Sequence, residues 1–369
     1  MDDVHGDCHS LKLTRLQPLP SFAAAGEACY ARRMIWSRLF TASFALVLMG
    51  WAASGHAADH RPPRTPAGVP DLQGTWTIRS LTRLVRPDEL AGSPTAAQIA
   101  AFEAKTRAKY AAYDAPTAPD APPPAAGSGL GNSEWLETGS GLARIGGQVR
   151  TSWIVLPADG KPPFNEAGRK AVKAADDRDD HNFDGPETRP TGERCLLAVG
   201  SNAGPPLANS NYNNLVQIVQ TRDHVVILME MNHDARIIRL VARPADRRHA
   251  PAQITPWMGD SIGWWERGTL VVETTNFNPG EKDRFNQSGR YLISGHAKVT
   301  ERFTRAGPGE ILYAFEVDDP DNYTQTWKGE IPLTATPERI YEYACHEGNY
   351  SLSNILAGAR VAEQDKRVR

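Results

Sequence analysis

The chain predicts a mainly β protein: an antiparallel meander that closes into a barrel, with a β-sandwich as the alternative and a few peripheral helices. Two observations carry this. From residue 211 onward, short runs of alternating apolar and polar residues follow one another closely. Turn residues separate them: Arg222-Asp223, Arg267-Gly268, Gly307-Pro308-Gly309 and Asp318-Asp319-Pro320-Asp321. Such short local turns join antiparallel neighbours, and a sheet this long hides its edges by closing or folding over.

At the N-terminal end, residues 1–33 read as an upstream start assigned in error, with Met34 the initiator. Residues 34–57 read as a secretory signal peptide: Arg32, Arg33 and Arg38 flank Met34, an apolar stretch runs from Leu39 to Trp51, and Gly55-His56-Ala57 precedes a cut after Ala57. The apolar stretch is short for a membrane span of about 20 residues. With Met34 as the initiator, Cys8 and Cys29 are absent and Cys195 and Cys345 remain, which an oxidising compartment favours as a disulfide. The competing reading is a nucleophilic Cys345 assisted by His346. It suffers because adjacent residues on a strand point to opposite faces. The expected location is periplasmic or secreted, without a stable membrane span once the leader is gone.

Residues 58–131 form an N-terminal section of strand, helix and linker. Asp71–Ile78 is the strand, Ser93-Pro94 starts a helix with Ile99, Phe102 and Tyr110 on its apolar face, and the Pro- and Gly-rich stretch 114–131 is the linker. Residues 132–364 form the main β domain. A strand is expected at 148–156 and a helix capped by Asn165 runs to about Ala175, followed by a solvated charge run over 176–180. Further strands are expected at 214–221, 224–232, 235–241, 269–275, 297–305, 310–318, 323–333 and 338–344, then a closing helix over 351–360. A formal net charge of −2 and the lack of a basic patch interleaved with aromatics argue against nucleic-acid binding.

Four clusters compete for chemistry. His233-Asp234 and His346-Glu347 each place an imidazole beside a carboxylate, the pairing that acid–base work needs. Neighbours on a strand diverge, so a working unit would cross elements, such as His233 with Glu347 or His346 with Asp234. Arg236 and Asn349 are candidates to hold an oxyanion or a substrate carboxylate. The other two clusters hold further substrate-binding candidates: Asn276, after an apolar strand, and Asp260 and Trp257 in a tryptophan-rich loop with Trp264 and Trp265. These indoles, with Trp327, either line an apolar cavity or fill the core. Cofactor fingerprints are lacking: no phosphate loop, dinucleotide motif or Gly-x-Ser-x-Gly elbow occurs. A divalent metal is a secondary reading, on His233, His346 and Glu347 with Glu230 or Asp234.

Asp71-Leu72-Gln73-Gly74-Thr75-Trp76 resembles the first-strand signature of the lipocalin and calycin group, which implies a lipocalin-like barrel. Glu193-Arg194-Cys195-Leu196, Tyr212-Asn213-Asn214, His233-Asp234-Ala235-Arg236, Trp257-Met258-Gly259-Asp260-Ser261 and Tyr341–Tyr350 are similar to a family of exported proteins of proteobacteria and acidobacteria. That resemblance implies export and carries no reaction with it. The chain departs from the family pattern after Arg236, where Ala242-Arg243-Pro244-Ala245 replaces a Gly-Arg-Pro-His turn and a histidine, His249, comes later. The expected function is an acid–base enzyme, a hydrolase, lyase or isomerase, acting on a small, partly apolar molecule. The alternative is a non-catalytic periplasmic binding protein with the same pocket. Oligomeric state is left open.

Overall fold

The computed structural model describes residues 62–113, 136–198, 200–280, 282–286 and 289–368. The expected upstream stretch, leader and Pro-rich linker lie outside the described residues. The strands are β1 (Gly74–Thr77), β2 (Arg144–Ile145), β3 (Gln148–Val149), β4 (Ile154–Leu156), β5 (Leu215–Gln220), β6 (His224–Met229) and β7 (Ala235–Leu240). They continue with β8 (Asp260–Glu266), β9 (Thr269–Thr275), β10 (Asp283–Asn286), β11 (Gly289–Leu292), β12 (Lys298–Gly307), β13 (Glu310–Asp318) and β14 (Trp327–Ala335). Three α-helices accompany them: α1 (Ala96–Tyr113), α2 (Glu166–His181) and α3 (Ser351–Val368).

The strands close into a barrel in the order β1-β5-β6-β7-β8-β9-β12-β13-β14, with β14 pairing back to β1. Trp76 faces both Val216 on β5 and Ala335 on β14, so the first strand is the stave that shuts the ring. This is the expected lipocalin-like arrangement with peripheral helices. One seam differs from a pure meander: β7 and β8 are parallel, Arg239 opposite Ile262. Parallel neighbours need a long crossover, and residues 241–259 supply it.

Three local expectations are corrected. Residues 260–266 are a barrel strand, not part of a tryptophan-rich loop. The crossover covers their outer face, so Ile262 and Trp264 are buried there while Ser261 and Gly263 are buried on the inner face, and alternation disappears. Residues 338–344 form no strand; the chain from 336 to 350 is irregular. The second helix does not end near Ala175 but runs through the charge run to His181; Asp176 and Asp177 are exposed as expected, while Asp179 is drawn inward by an ion pair with Arg290.

Packing inside the ring is tight. Leu270, Val299, Phe303, Tyr313, Ile331 and Leu333 are fully buried on the inward rows, and Trp327 fills the core edge-on to Phe315, Tyr291 and Tyr323. Gly329 gives Phe315 its room: a Cβ there would lie 2.1 Å from the ring. Among these apolar walls lies the buried ion pair of Arg236 with Glu301, at 3 % and 0 % exposure. Tyr313 donates to Glu301 at 2.8 Å, Arg236 donates to Ser261 at 3.3 Å, and the Tyr313 hydroxyl accepts from the Leu207 amide at 2.9 Å.

The helices sit outside the ring. Thr95 caps α1 reciprocally with Gln98, two residues later than the Ser93 start expected from sequence. Its Phe102 packs with Leu81, Leu90 and Leu142, and Ile99 and Tyr110 lean on that group as expected. Asn165 caps α2 by accepting from the Gly168 amide at 2.8 Å.

Candidate functional site

Two of the chemistry-bearing motifs, Tyr212–Asn214 and Met231–His233, meet at the end of the barrel where β1 stops and β5 starts. The Asn214 carbonyl accepts from the Ile78 amide at 3.1 Å, which sets Tyr212-Asn213-Asn214 beside Arg79. Between β6 and β7 the chain breaks into a short 3-10 turn, Met231–His233. Asn213, Asn232 and His233 all have left-handed backbones, with φ of 52°, 58° and 56°. Asparagine tolerates that region and histidine does so less readily, so such strain marks a place worth reading for function.

Glu230 lies at the centre, 6 % exposed. It accepts from the Leu215 amide at 3.0 Å, while its own amide donates to the Leu215 carbonyl at 3.1 Å. Burial pushes its carboxyl above the ordinary carboxylate range, and the neighbouring Glu137 charge adds to the rise. Hydrogen bonds from Leu215 and Asn213 and the charge of Arg79 oppose it without cancelling it. Arg79 lies 3.3 Å from Glu137 and donates to Glu338 at 3.1 Å. Burial works against its charge, but the carboxylates of Glu338, Glu137 and Glu230 outweigh that and hold the guanidinium protonated more firmly than usual. The side-chain amide of Asn232 is shielded from solvent at both nitrogen and oxygen and makes no hydrogen bond among the described residues. Burial also raises the Tyr212 phenol, with a further contribution from Tyr343.

The segment 336–350 lies across this end as a strap. The Thr336 amide donates to the Thr75 carbonyl at 3.1 Å, Glu338 meets Arg79, and Tyr343 comes near Tyr212. The expected disulfide is present: Cys195 and Cys345 are bonded, with Cα atoms 5.9 Å apart. Five residues beyond Cys195, the turn Gly200–Ala203 packs against Met231–His233. No protein-family model matches the chain, and searches of curated proteins and of solved structures found no match.

Of the residues singled out from sequence, His233, His346, Glu347 and Asn349 are exposed. His233, His346 and Glu347 make no side-chain hydrogen bond or ion pair among the described residues. The expected cross-element pairs, His233 with Glu347 and His346 with Asp234, are thus not formed; the exposed strap leaves its imidazole and carboxylate in water. Asn349 instead donates to the Cys195 sulfur at 3.6 Å. Among the described residues no three histidine, cysteine, aspartate or glutamate side chains converge as metal ligands, so His233, His346 and Glu347 are not gathered as a set. Arg236 points into the barrel and is occupied by Glu301, away from solvent.

The remaining candidates sit on the outer wall. Asp260 accepts from the Ala250 amide at 2.9 Å and contacts the His249 imidazole at 2.8 Å, whose other nitrogen is 3.3 Å from Glu273. Arg247 pairs with Glu273 at 3.0 Å and covers the Trp264 ring at 5.0 Å. Asn276 donates to the Ala250 carbonyl at 2.9 Å. Trp257 is half-buried nearby. Together these groups fasten the crossover 241–259 to β8 and β9. Sequence reading placed Asp260 and Asn276 among ligand-binding residues and left His249 without a role.

Glu230 and Glu137 are the groups that sequence reasoning underrated. Only the broken strand at Met231-Asn232-His233 pointed toward them.

Proposed function

We propose that this is an exported protein whose barrel end performs acid–base chemistry on a small, partly apolar molecule, with Glu230 as the proton-transfer group. The observation that carries the reading is a desolvated carboxyl, held above the ordinary carboxylate range by burial, beside a second carboxylate and a firmly protonated guanidinium. A buried carboxyl set among charged groups is a common mark of a proton-transfer site. In the reaction that suits this set, ionised Glu230 takes a proton from a carbon next to a carbonyl. The C–H electron pair moves onto the carbonyl oxygen, and the Asn232 amide and Arg79 hold the resulting oxyanion. Returning the proton to another atom gives isomerisation; expelling a leaving group gives elimination. His233, on the solvent side of the same turn, is the second proton carrier.

Export is supported by the disulfide, which oxidising compartments favour, by the resemblance to exported bacterial proteins, and by the leader-like segment 34–57. Among the described residues no helix is long and apolar enough to cross a membrane.

The test is a turnover screen of small ketones, esters and hydroxy acids with wild type, Glu230→Gln and His346→Ala. Glu230→Gln is expected to lose about 10²–10⁴-fold in rate, with His346→Ala close to wild type. Wild-type turnover in Glu230→Gln defeats the proposal. A binding protein without turnover is the second reading, favoured by a cleft of about 320 Å³ between the end of α2, the loop 189–198 and β10.

A further inference from the structure

The disulfide joins two segments that both border the barrel end. Cys345 lies in the strap, whose near end is fixed by Glu338 on Arg79 and whose Tyr343 comes near Tyr212. Cys195 lies in the loop that runs into the turn Gly200–Ala203, which packs against Met231–His233. Glu230 immediately precedes Met231, so each branch of the bond leads to the surroundings of that carboxyl.

Little else fastens the strap. From residue 339 to 350 only Ile340, Tyr343 and Cys345 are half-buried, and the rest are exposed. Its backbone bonds close on themselves: the Cys345 amide donates to the Tyr343 carbonyl at 3.1 Å and the Asn349 amide to the His346 carbonyl at 3.2 Å. Among the described residues, the side-chain hydrogen bond that ties this stretch to the rest of the fold is Asn349 to the Cys195 sulfur at 3.6 Å, at the same joint. The next anchor is Arg360 in α3, which donates to the Phe183 carbonyl at 3.0 Å. Between Glu338 and α3 the covalent bond is therefore the main fastening. A segment with so few other contacts opens on its own while the barrel ladder persists.

Both cysteines are half-buried, so a dissolved thiol reaches the sulfurs, and reachable disulfides are the ones that exchange. We propose that Cys195–Cys345 is a redox clasp: reduction by a dithiol releases the strap from Tyr212 and opens the barrel end, and re-oxidation closes it. One thiolate of the dithiol attacks a sulfur of the bond, forms a mixed disulfide and expels the other cysteine as a thiol. The second thiolate then displaces the remaining cysteine. The dithiol leaves as a disulfide, having given two electrons and two protons, and Cys195 and Cys345 are both thiols. In gating Glu230 the clasp rests on the acid–base reading; as a moving strap it does not.

The test is tyrosine nitration by tetranitromethane in the full oxidised protein, read peptide by peptide by mass spectrometry. It is repeated after dithiothreitol, with the freed thiols capped by iodoacetamide. Tyr341, 74 % exposed, serves as the internal standard. Reduction is expected to raise nitration of Tyr212 and Tyr343 at least about tenfold relative to Tyr341, as the contacts that shield them are lost. Oxidised glutathione added before capping should restore the shielding. Cys195→Ser with Cys345→Ser should nitrate at the reduced rate with no dithiol present. Thermal melting of each sample reports the fold. A bond that resists dithiothreitol in the folded protein overturns the inference. So does unchanged nitration after reduction, or loss of the barrel's melting transition, which would make the bond a staple only. Glu230→Gln should show the same rise as wild type. A failed turnover screen then leaves the clasp standing, and a failed rise leaves the acid–base reading standing.

Discussion

The Leu215 amide donates to the side-chain carboxyl of Glu230 at 3.0 Å, where the β5–β6 ladder would otherwise end. The bond holds the carboxyl inside the barrel end, with burial the larger influence on its proton. The folded chain therefore keeps that proton more firmly than the unfolded chain does. Raising pH from the ordinary carboxylate range toward the native value costs stability, at most about 1.4 kcal/mol per pH unit. Glu230→Gln removes this penalty. Its melting midpoint relative to wild type should climb as pH goes from about 4 to 7. Melts at four pH values check this, and a flat or falling difference would contradict the burial argument.

Arg236 and Glu301 test a different balance. Removing one partner of a buried pair strands the other charge, so Arg236→Met should cost about 3–5 kcal/mol in urea unfolding. The double variant Arg236→Met, Glu301→Leu should recover much of that loss, because it also spares the second desolvation. A double variant as unstable as the sum of the two singles would mean that Ser261, Thr274 and Tyr313 depend on the charges.

The crossover 241–259 makes the third case. His249→Ala removes the contacts to Asp260 and Glu273 and is expected to cost about 1–2 kcal/mol, reduced from fully buried values by partial exposure. Limited proteolysis should then cut within 241–259 sooner than in wild type. Turnover attributed to Glu230 should be unaffected, which separates the outer wall from the barrel end.

The disulfide is the fourth. It closes a loop with a separation of 150 residues, for which the chain-entropy relation gives about 4–5 kcal/mol. Cys195→Ser with Cys345→Ser should lower unfolding stability by up to that amount. Unchanged stability in the double variant would place structure in the unfolded state.

The barrel was legible because strand period and turn chemistry agree over most of its circumference: β9 at Thr269–Thr275 matches the expected strand, and β13 at Glu310–Asp318 does too. β8 was hidden because the crossover covers its outer row, which erases the alternation that marks a half-exposed strand. The candidate site was legible only as a neighbourhood. Asn213, Asn232 and the Cys345 segment were visible as unusual runs, but Glu230 owes its character to Leu215, Asn213 and Glu137, none of them adjacent in sequence. A resemblance between short motifs cannot report burial. For the same reason His233 and His346 drew attention as ionisable residues while the exposed surface gave them no partner.

Eight of the nine barrel staves, β5 through β14 without the β10–β11 hairpin, lie within the covalent ring that Cys195 and Cys345 complete, and β1 enters from outside it. A single backbone cut at the surface turn Arg267-Gly268 would open the ring without parting the molecule. Both pieces would still travel as one band on a non-reducing gel and come apart only with thiol. An exported chain built this way stays whole through a nick that would otherwise shed half its strands.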